Sequence, residues 1–338
     1  MIDMETVPDI FPEGKRYNTF VGFYRRLYGE RLQKLVIDAG FTCPNRDGTC
    51  GRGGCTYCNN DAFHPGYSTP GKPLAQQIDE GIEFHKVRYR GVSRYLAYFQ
   101  SYSNTYAPLE RLRELYGEAL SHPEIVGLVI GTRPDCVDDE KLDWLASLKE
   151  GRELPGWHRE LGGKTVTAPL LTVEYGVESC HDATLRRINR GHDFECARKA
   201  IKATAERGLD TGAHMILGLP GETRGMMLEE CGQINELPLH SIKFHQLQIV
   251  KGARMEKEHD ARPEDFVEMS LPEYLDFIID ILERLRPDLY IERVAGEMPP
   301  RFVRENRWGL VRNFEILRML DERLAERDTW QGRLLESR

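Results

Sequence analysis

The chain has 338 residues, 40% of them hydrophobic, which suffices for one barrel-sized domain with a full core and terminal extensions. Its formal net charge of −8 argues against indiscriminate nucleic-acid binding, because affinity for phosphates scales with local positive charge, but it leaves room for a local basic face. Four of the 8 cysteines share one loop, which is not a disulfide framework, and with an acidic N-terminus and no run near ~20 apolar residues the expectation is a cytoplasmic protein without secretory signal or membrane span.

Residues 1–16 read as a poorly structured lead-in. Asn18 or Thr19 then caps a helix whose Phe20, Phe23, Tyr24, Leu27 and Tyr28 share one face, suited to plugging one end of a barrel. Arg25, Arg26 and Arg31 fall on its solvated side. Strand-like runs follow near 33–38, 94–99, 125–130, 169–175, 211–217 and 241–249, and helix-like runs near 73–90, 108–121, 139–149, 194–207 and 224–236 fill the intervals. Six such units with right-handed crossovers predict an α/β fold, a partial (β/α)6 TIM-like barrel open on one side. The polar, glycine-rich stretch 150–168 joins the third helix to the fourth strand, hence lies at the N-terminal face, away from chemistry. Ser270 and Glu273 form a capping box that starts a further helix, and a strand near 289–294 and a helix near 309–326 complete a C-terminal α/β extension. The expected organisation is an N-terminal extension and helix over 1–32, a barrel core over 33–250, and an extension packing on the barrel over 251–338.

Directly after the first strand-like run comes GFTCPNRDGTCGRGGCTYCNN. Cys55-x-x-Cys58 can bite one metal or two irons of one cluster, and Cys43 can close from the other side. Cys50 lies in the same loop; four ligands would suggest a closed structural zinc site, whereas three leave a metal open for chemistry. Later strands end in polar phrases: FQSYSNT (99–105), GTRPD (131–135), VEYGVES (173–179), HMILGLPGE (214–222) and KFHQLQ (243–248). A cysteine cluster after strand one, with polar phrases after the later strands, describes the C-terminal face of an α/β barrel, where such folds build active sites.

These phrases resemble the radical S-adenosylmethionine (SAM) superfamily, in the branch related to the catalytic subunit of Elongator and most closely the compact bacterial YhcC/YtqA-type proteins. The cysteine loop, YLAYFQSYSNT, GTRPDCV, LRRINRGHD, LGLPGE, IVKG and ENRW carry the resemblance from Gly40 to Trp308. It implies a 4Fe–4S cluster on Cys43, Cys55 and Cys58, with Cys50 a bystander in a longer first gap than the commoner spacing. It further implies that SAM chelates the open iron and is cleaved by one electron to methionine and a 5′-deoxyadenosyl radical. Gln100 and Ser101 stand where the superfamily contacts the methionine amino group, although the commoner Gly-Gly-Glu phrase is absent. Glu174, Glu178 and Ser179 are carried over as ribose and carboxylate contacts, with Glu178 where the family more often has glutamine. Arg190 is placed beside the cofactor carboxylate, which a guanidinium matches bidentately. Ile216, Gly218, Gly221 and Glu222 match the phrase lying along the adenine, and His245, in the sixth strand, is a further cofactor-binding candidate. Cys136, after the third strand, is the candidate catalytic residue, a hydrogen-atom donor to a product radical; the alternative is a small buried hydrophobe.

Near the C-terminus, RFVRENRWGLVRN brings together Arg301, Arg304, Arg307, Trp308 and Arg312. Interleaved basic and aromatic residues suit phosphate contact and base stacking, so Arg304, Arg307 and Trp308 are the RNA-binding candidates; a charged cover over the barrel's open side is the other reading. The resemblance implies a tRNA substrate, trimmed at the wobble position from 5-carboxymethylaminomethyluridine to 5-aminomethyluridine, and an electron donor such as flavodoxin or ferredoxin. Elongator's added acetyltransferase chemistry is not expected. Two alternatives stand beside this: radical chemistry on a small metabolite or protein, which the acidic balance favours, and a zinc-stabilised RNA-binding module without catalysis.

Overall fold

Apolar strands buried on both faces are the signature of a parallel sheet wrapped by helices, and Tyr95–Phe99 and Ile125–Thr132 are buried at every position. The computed structural model describes residues 7, 9–12, 14–59, 65–89, 91–305 and 307–335. Its strands are β1 (Gln33–Ile37), β2 (Tyr95–Phe99), β3 (Ile125–Thr132), β4 (Arg159–Leu161), β5 (Lys164–Val166), β6 (Leu170–Glu178), β7 (Asp210–Leu217), β8 (Ser241–Gln246) and β9 (Tyr290–Arg293). Seven of them form one parallel sheet in the order β1-β2-β3-β6-β7-β8-β9, curled into a half-barrel. The expected six strands are there, and the strand foreseen near 289–294 joins the same sheet as a seventh.

The helices are α1 (Phe20–Tyr28), α2 (Pro44–Asp47), α3 (Leu74–Arg88), α4 (Leu109–Ser121), α5 (Asp139–Lys149), α6 (Asp182–Arg187), α7 (Phe194–Glu206), α8 (Arg224–Asn235), α9 (Arg254–Ala261), α10 (Leu271–Leu282) and α11 (Asn313–Glu326). Side chains alternate along each strand. Leu35, Ala97, Leu128 and Leu171 are in register and pack outward with the helices, while Leu96, Tyr98 and Val129 belong to a separate cluster inside the curl. Thr19 caps α1 by accepting from the Gly22 amide at 3.0 Å. Tyr24 of α1 and Leu161 of β4 then close the lower end of the curl against Leu32, Leu96 and Val126.

Two details depart from the expectation. The stretch 150–168 is not plain connector: β4 and β5 pair as a short antiparallel hairpin whose Leu161 is fully buried. Its turn has Gly162 at φ +57°, where a Cβ would collide with the Tyr28 carbonyl, and the Gly162 amide donates to Glu30 at 2.7 Å. The lead-in over 1–16 lies partly outside the described residues, but its later part is packed: Phe11 is buried, Lys15 pairs with Asp321, and Arg16 with Asp328. Asn18 and Thr19 bridge to Ile291, covering the outer edge of β9. Among the described residues no helix is long and apolar enough to cross a membrane.

Candidate active site

The cysteine loop starts one turn beyond β1. Cys43 is the residue before α2, whose Pro44 presets the helical φ. Asn45 donates to the Asn189 carbonyl at 2.6 Å, Asn189 donates to the Gly54 carbonyl at 2.8 Å, and the Thr56 amide donates to the Ile188 carbonyl at 2.9 Å. The segment after α6 therefore clamps the loop against the C-terminal face. Gly51 is required there, because a Cβ would collide with Asn45 Oδ1. Cys43 and Cys55 are buried, Cys58 is half-buried and Cys50 is exposed. Guanidiniums stand beside two sulfurs: Arg190 Nη1 is 3.5 Å from Cys55 Sγ, and Arg46 Nη1 is 3.9 Å from Cys58 Sγ. Burial, then the neighbouring Cys55, pushes the Cys58 thiol up to about 11. Cys50 Sγ instead lies 3.7 Å from Asp135 Oδ2.

The strand ends surround a cleft of about 1000 Å³ between the two sheet edges, β1 and β9, which Gln100, Leu217 and Gly218 line from the C-terminal face. Gly218 has φ +90°, and a Cβ there would press on the Val267 carbonyl at 3.1 Å. Lys34, Tyr98 and Lys243 line the cleft deeper in the barrel, and Arg304, Arg307 and Trp308 line its outer wall.

Beneath the strand ends lies a buried charge network. Lys34 and Lys243 each contact Glu174 at 2.6 Å and reach Glu292 at 2.5 and 2.8 Å. His214 Nε2 meets Glu174 at 2.9 Å, and Lys243 donates to the Tyr98 hydroxyl at 3.0 Å. Glycines at two neighbouring positions of the register, Gly131 and Gly212, flank Glu174 and leave room for its side chain. These cations hold its carboxyl well below the usual range despite its burial.

The chain matches the model described as the radical SAM superfamily over residues 47–231 and the radical SAM C-terminal domain over residues 239–326. It is 38% identical over 316 residues to the protein YhcC of Escherichia coli K12, covering 91% of this chain and 93% of that one. It is 33% identical over 328 residues to YtqA of Bacillus subtilis 168, covering 95% and 94%. The chain belongs to the radical SAM superfamily. Among solved structures, an N-terminally truncated archaeal Elp3 from Methanocaldococcus infernus shares the fold at a TM-score of 0.60 and 15% identity; the match spans 89% of this chain and 64% of that one.

Radical SAM proteins carry a 4Fe–4S cluster and S-adenosylmethionine. The donor set of the loop fits such a cluster. Three thiols are sheltered on the C-terminal face, two with guanidiniums beside them, whereas among the described residues no three Cys, His, Asp or Glu side chains converge on a point that would hold a single metal ion. Irons of a cluster take separate thiolates and space them more widely than one ion does.

Several candidates sit elsewhere than the resemblance implied. Glu174 is 1% exposed and committed to Lys34, Lys243 and His214, so it is not available to a ribose. Ser179 and Glu222 turn inward as well: the Ser179 hydroxyl lies 2.5 Å from Glu222 and 3.0 Å from Glu230, and the Cys180 amide donates to Glu230 at 2.6 Å. Arg190 lies against Cys55, the Gly176 carbonyl at 2.5 Å and Glu178 at 3.6 Å, and its buried Nε has no hydrogen-bond partner among the described residues. Glu178 itself sits at a bulge with φ +72°, a strained conformation for a non-glycine residue. Cys136 is 5% exposed and does not line the cleft; its sulfur lies 3.8 Å from Asp135, and burial pushes the thiol up to about 12. It is packed in the manner of a small buried hydrophobe, the alternative reading of this residue.

Gln100 and Gly218 face the cleft, Ser101 is buried beside Gln100, and Ile216 and Gly221 flank the Gly218 turn. His245 stacks on His214 with ring centroids 5.5 Å apart, its Nε2 buried without a partner and its pKa pushed well down by burial. Arg304 pairs with Asp260, and Arg307 with Glu268 and Glu305. The Trp308 indole donates to the Met269 carbonyl at 3.0 Å and packs on Tyr274, so it braces the cleft wall instead of standing free for a base. Phe314 is the exposed aromatic of that region, at 72%. Lys34, Lys243, Glu292, His214 and Tyr98 were not foreseen; the available signal was a charge at inward-facing positions of otherwise apolar strands.

Proposed function

We propose that this radical SAM enzyme acts on the wobble uridine of tRNA, trimming 5-carboxymethylaminomethyluridine to 5-aminomethyluridine. The observation that carries the reading is the cleft: at about 1000 Å³ and open between β1 and β9, it leads from Gln100 and Gly218 at the cofactor face to an arginine-bearing outer wall. That volume is the upper end of small-molecule sites, and an open side admits a group attached to a larger body. In this reading Cys43, Cys55 and Cys58 hold the cluster and Cys50 stays outside the set. When bound, the cluster and S-adenosylmethionine supply reductive cleavage of a sulfonium bond to a 5′-deoxyadenosyl radical. Arg46 and Arg190 would offset thiolate charge and Gly218 would let the adenine approach backbone; the methylene beside the substrate carboxylate would give its hydrogen atom to the deoxyadenosyl group and one electron back to the cluster, and water would cleave the resulting imine to the amine and glyoxylate, with S-adenosylmethionine as the net oxidant. A flavodoxin- or ferredoxin-like donor and a cytoplasmic setting belong to the same proposal.

A second reading, a small substrate, is favoured by the pairing of Arg304 and Arg307 with Asp260, Glu268 and Glu305 and by the net charge of −8. Modified-nucleoside profiles of total tRNA with and without the gene separate the two. Loss of 5-aminomethyl-derived nucleosides with accumulation of the carboxymethylaminomethyl form supports the tRNA reading. An unchanged profile moves the chemistry to a small substrate.

A further inference from the structure

A cation that lines a cavity and is neutralised by no acid of the protein is available to an anionic ligand. Most cations of the cleft are answered by an acid of the protein. Lys34 and Lys243 are neutralised by Glu174 and Glu292, Arg304 by Asp260, Arg307 by Glu268, and Arg312 stands 3.6 Å from Glu297. Arg31, two residues before β1, lies over the Tyr89 ring at 4.5 Å, and its buried Nε has no hydrogen-bond partner among the described residues. Arg293 has neither an acidic partner nor a ring beneath it: it is exposed, lines the cleft, and its side chain makes no hydrogen bond or ion pair with another described residue.

Its position matters as much as its isolation. Arg293 ends β9 in register with Lys243 of β8, at the edge of the sheet where the barrel stays open. The carboxylate beside it in sequence, Glu292, is occupied by Lys34 and Lys243, which leaves the guanidinium unneutralised. Other cleft-lining amides have no side-chain partner among the described residues: Gln100 at the end of β2 and Gln248 just beyond β8, and Asn313 at the start of α11, whose Oδ1 is buried. Gly296 keeps this end open: a Cβ there would stand 3.3 Å from His245 Nδ1 and 4.0 Å from Gln248 Oε1. Gln246, by contrast, is closed off by a two-way pairing with the Gly296 backbone, at 2.6 and 2.8 Å.

We propose that Arg293, with the Gln248 and Gln100 amides, forms the receptor for an oxyanion of the substrate inside the cleft. A guanidinium fork takes two oxygens of one carboxylate or phosphate, and the neutral amides add hydrogen bonds without adding charge. The receptor shares its cavity with Gly218. The inference rests on the reading above only in taking the cleft as the substrate site; on that reading the oxyanion is the carboxylate of the carboxymethyl group, and the other source is a backbone phosphate.

The test measures binding by full-length, cluster-loaded protein. The probes are the 5-carboxymethylaminomethyluridine nucleoside, its methyl ester, the 5-aminomethyl nucleoside and inorganic phosphate. A carboxylate receptor binds the free acid about 10- to 100-fold more tightly than the ester. Arg293→Ala and Arg293→Gln erase that ratio, Arg293→Lys retains part of it, and Gln248→Ala reduces it. Phosphate binding that is likewise lost in Arg293→Ala, with no preference between acid and ester, supports the receptor and assigns it to the backbone. Acid and phosphate binding unchanged in Arg293→Ala, or no binding of any probe by the unaltered protein, overturns it. Unchanged iron content and urea midpoint in the variants exclude misfolding, as expected for an exposed side chain without partners. Normal tRNA trimming by Arg293→Ala would sink the receptor while leaving the tRNA reading intact; an Arg293-dependent preference for the acid with no change in tRNA profiles would do the reverse.

Discussion

At the scale of single residues, the cysteine loop distinguishes its four thiols by shelter and neighbour. Cys43 and Cys55 are buried, Cys58 is half-buried beside Arg46, and Cys50 is exposed against Asp135, a carboxylate that disfavours a thiolate there. Alanine at Cys43, Cys55 or Cys58 is therefore expected to lower bound iron from about four atoms per chain to near none, whereas Cys50→Ala keeps it; iron and sulfide analysis after anaerobic purification decides. Loss of iron in Cys50→Ala would close the three-ligand assignment. Gly218 separates cofactor binding from cluster binding. At φ +90° a valine costs about 1–3 kcal/mol in strain, and its side chain enters the space beside the Val267 carbonyl. Gly218→Val is expected to keep its iron but lose most 5′-deoxyadenosine formation with S-adenosylmethionine and reductant. Normal nucleoside production would place the adenine elsewhere.

At the scale of elements, two buried polar groups tie strands to their neighbours. Glu174 of β6 binds β1 through Lys34, β7 through His214 and β8 through Lys243. Glu174→Ala would leave both lysines with Glu292 alone, and such uncompensated burial costs about 3–5 kcal/mol, read as a lowered urea midpoint. The end of β6 meets α8 through Ser179 and Glu230. One serine hydroxyl has one proton, so it cannot donate to Glu222 and Glu230 together, and a carboxyl proton must complete the set. Burial, then the nearby Glu222, raises Glu230 to about 8. The folded state thus holds a proton that the unfolded chain has released above about pH 4.3, so stability falls as pH rises from about 4.5 to 8 and then levels. Glu230→Gln should flatten that decline, checked by urea midpoints at pH 5 and pH 8; an equally steep decline in the variant would remove Glu230 as its source. The strands and helices of the barrel were legible in sequence because each apolar run is long and bounded by turn residues. The β4–β5 hairpin was not, since its two strands have three residues each and carry no readable period. The cysteine loop was legible as a local motif. Neither the inward turn of Ser179 and Glu222 nor the Lys34–Glu174–Lys243 contact was, because both depend on the register between strands far apart in the chain.

At the scale of the whole molecule, a chain of net charge −8 repels a polyanion unless positive charge is concentrated where the substrate lies. Arg304, Arg307 and Arg312 line the cleft, whereas Arg25 and Arg26 do not. All three are held by their own acids, Asp260 for Arg304, Glu268 for Arg307 and, more loosely at 3.6 Å, Glu297 for Arg312. Exposed pairs of this kind contribute only about 0–1 kcal/mol, so an RNA phosphate can displace the carboxylate at small cost. If tRNA seats on this wall, affinity should fall steeply with salt, by roughly 0.7 to 0.9 log units per log unit of salt for each phosphate contacted. Arg304→Ala with Arg307→Ala should then remove about two contacts and flatten the slope by roughly 1.4 to 1.8. Asp260→Asn with Glu268→Gln should act oppositely, freeing both guanidiniums and tightening binding, while replacement of Arg25 and Arg26 leaves the slope as it was. All of these variants should keep their iron and their uncoupled cleavage of S-adenosylmethionine, which draw on the strand ends and not on the outer wall. Binding of tRNA measured from low to physiological salt decides the matter. A slope near zero, or one that the Arg304 and Arg307 pair does not alter, would leave this wall as a structural cover and favour a small anionic substrate in the cleft.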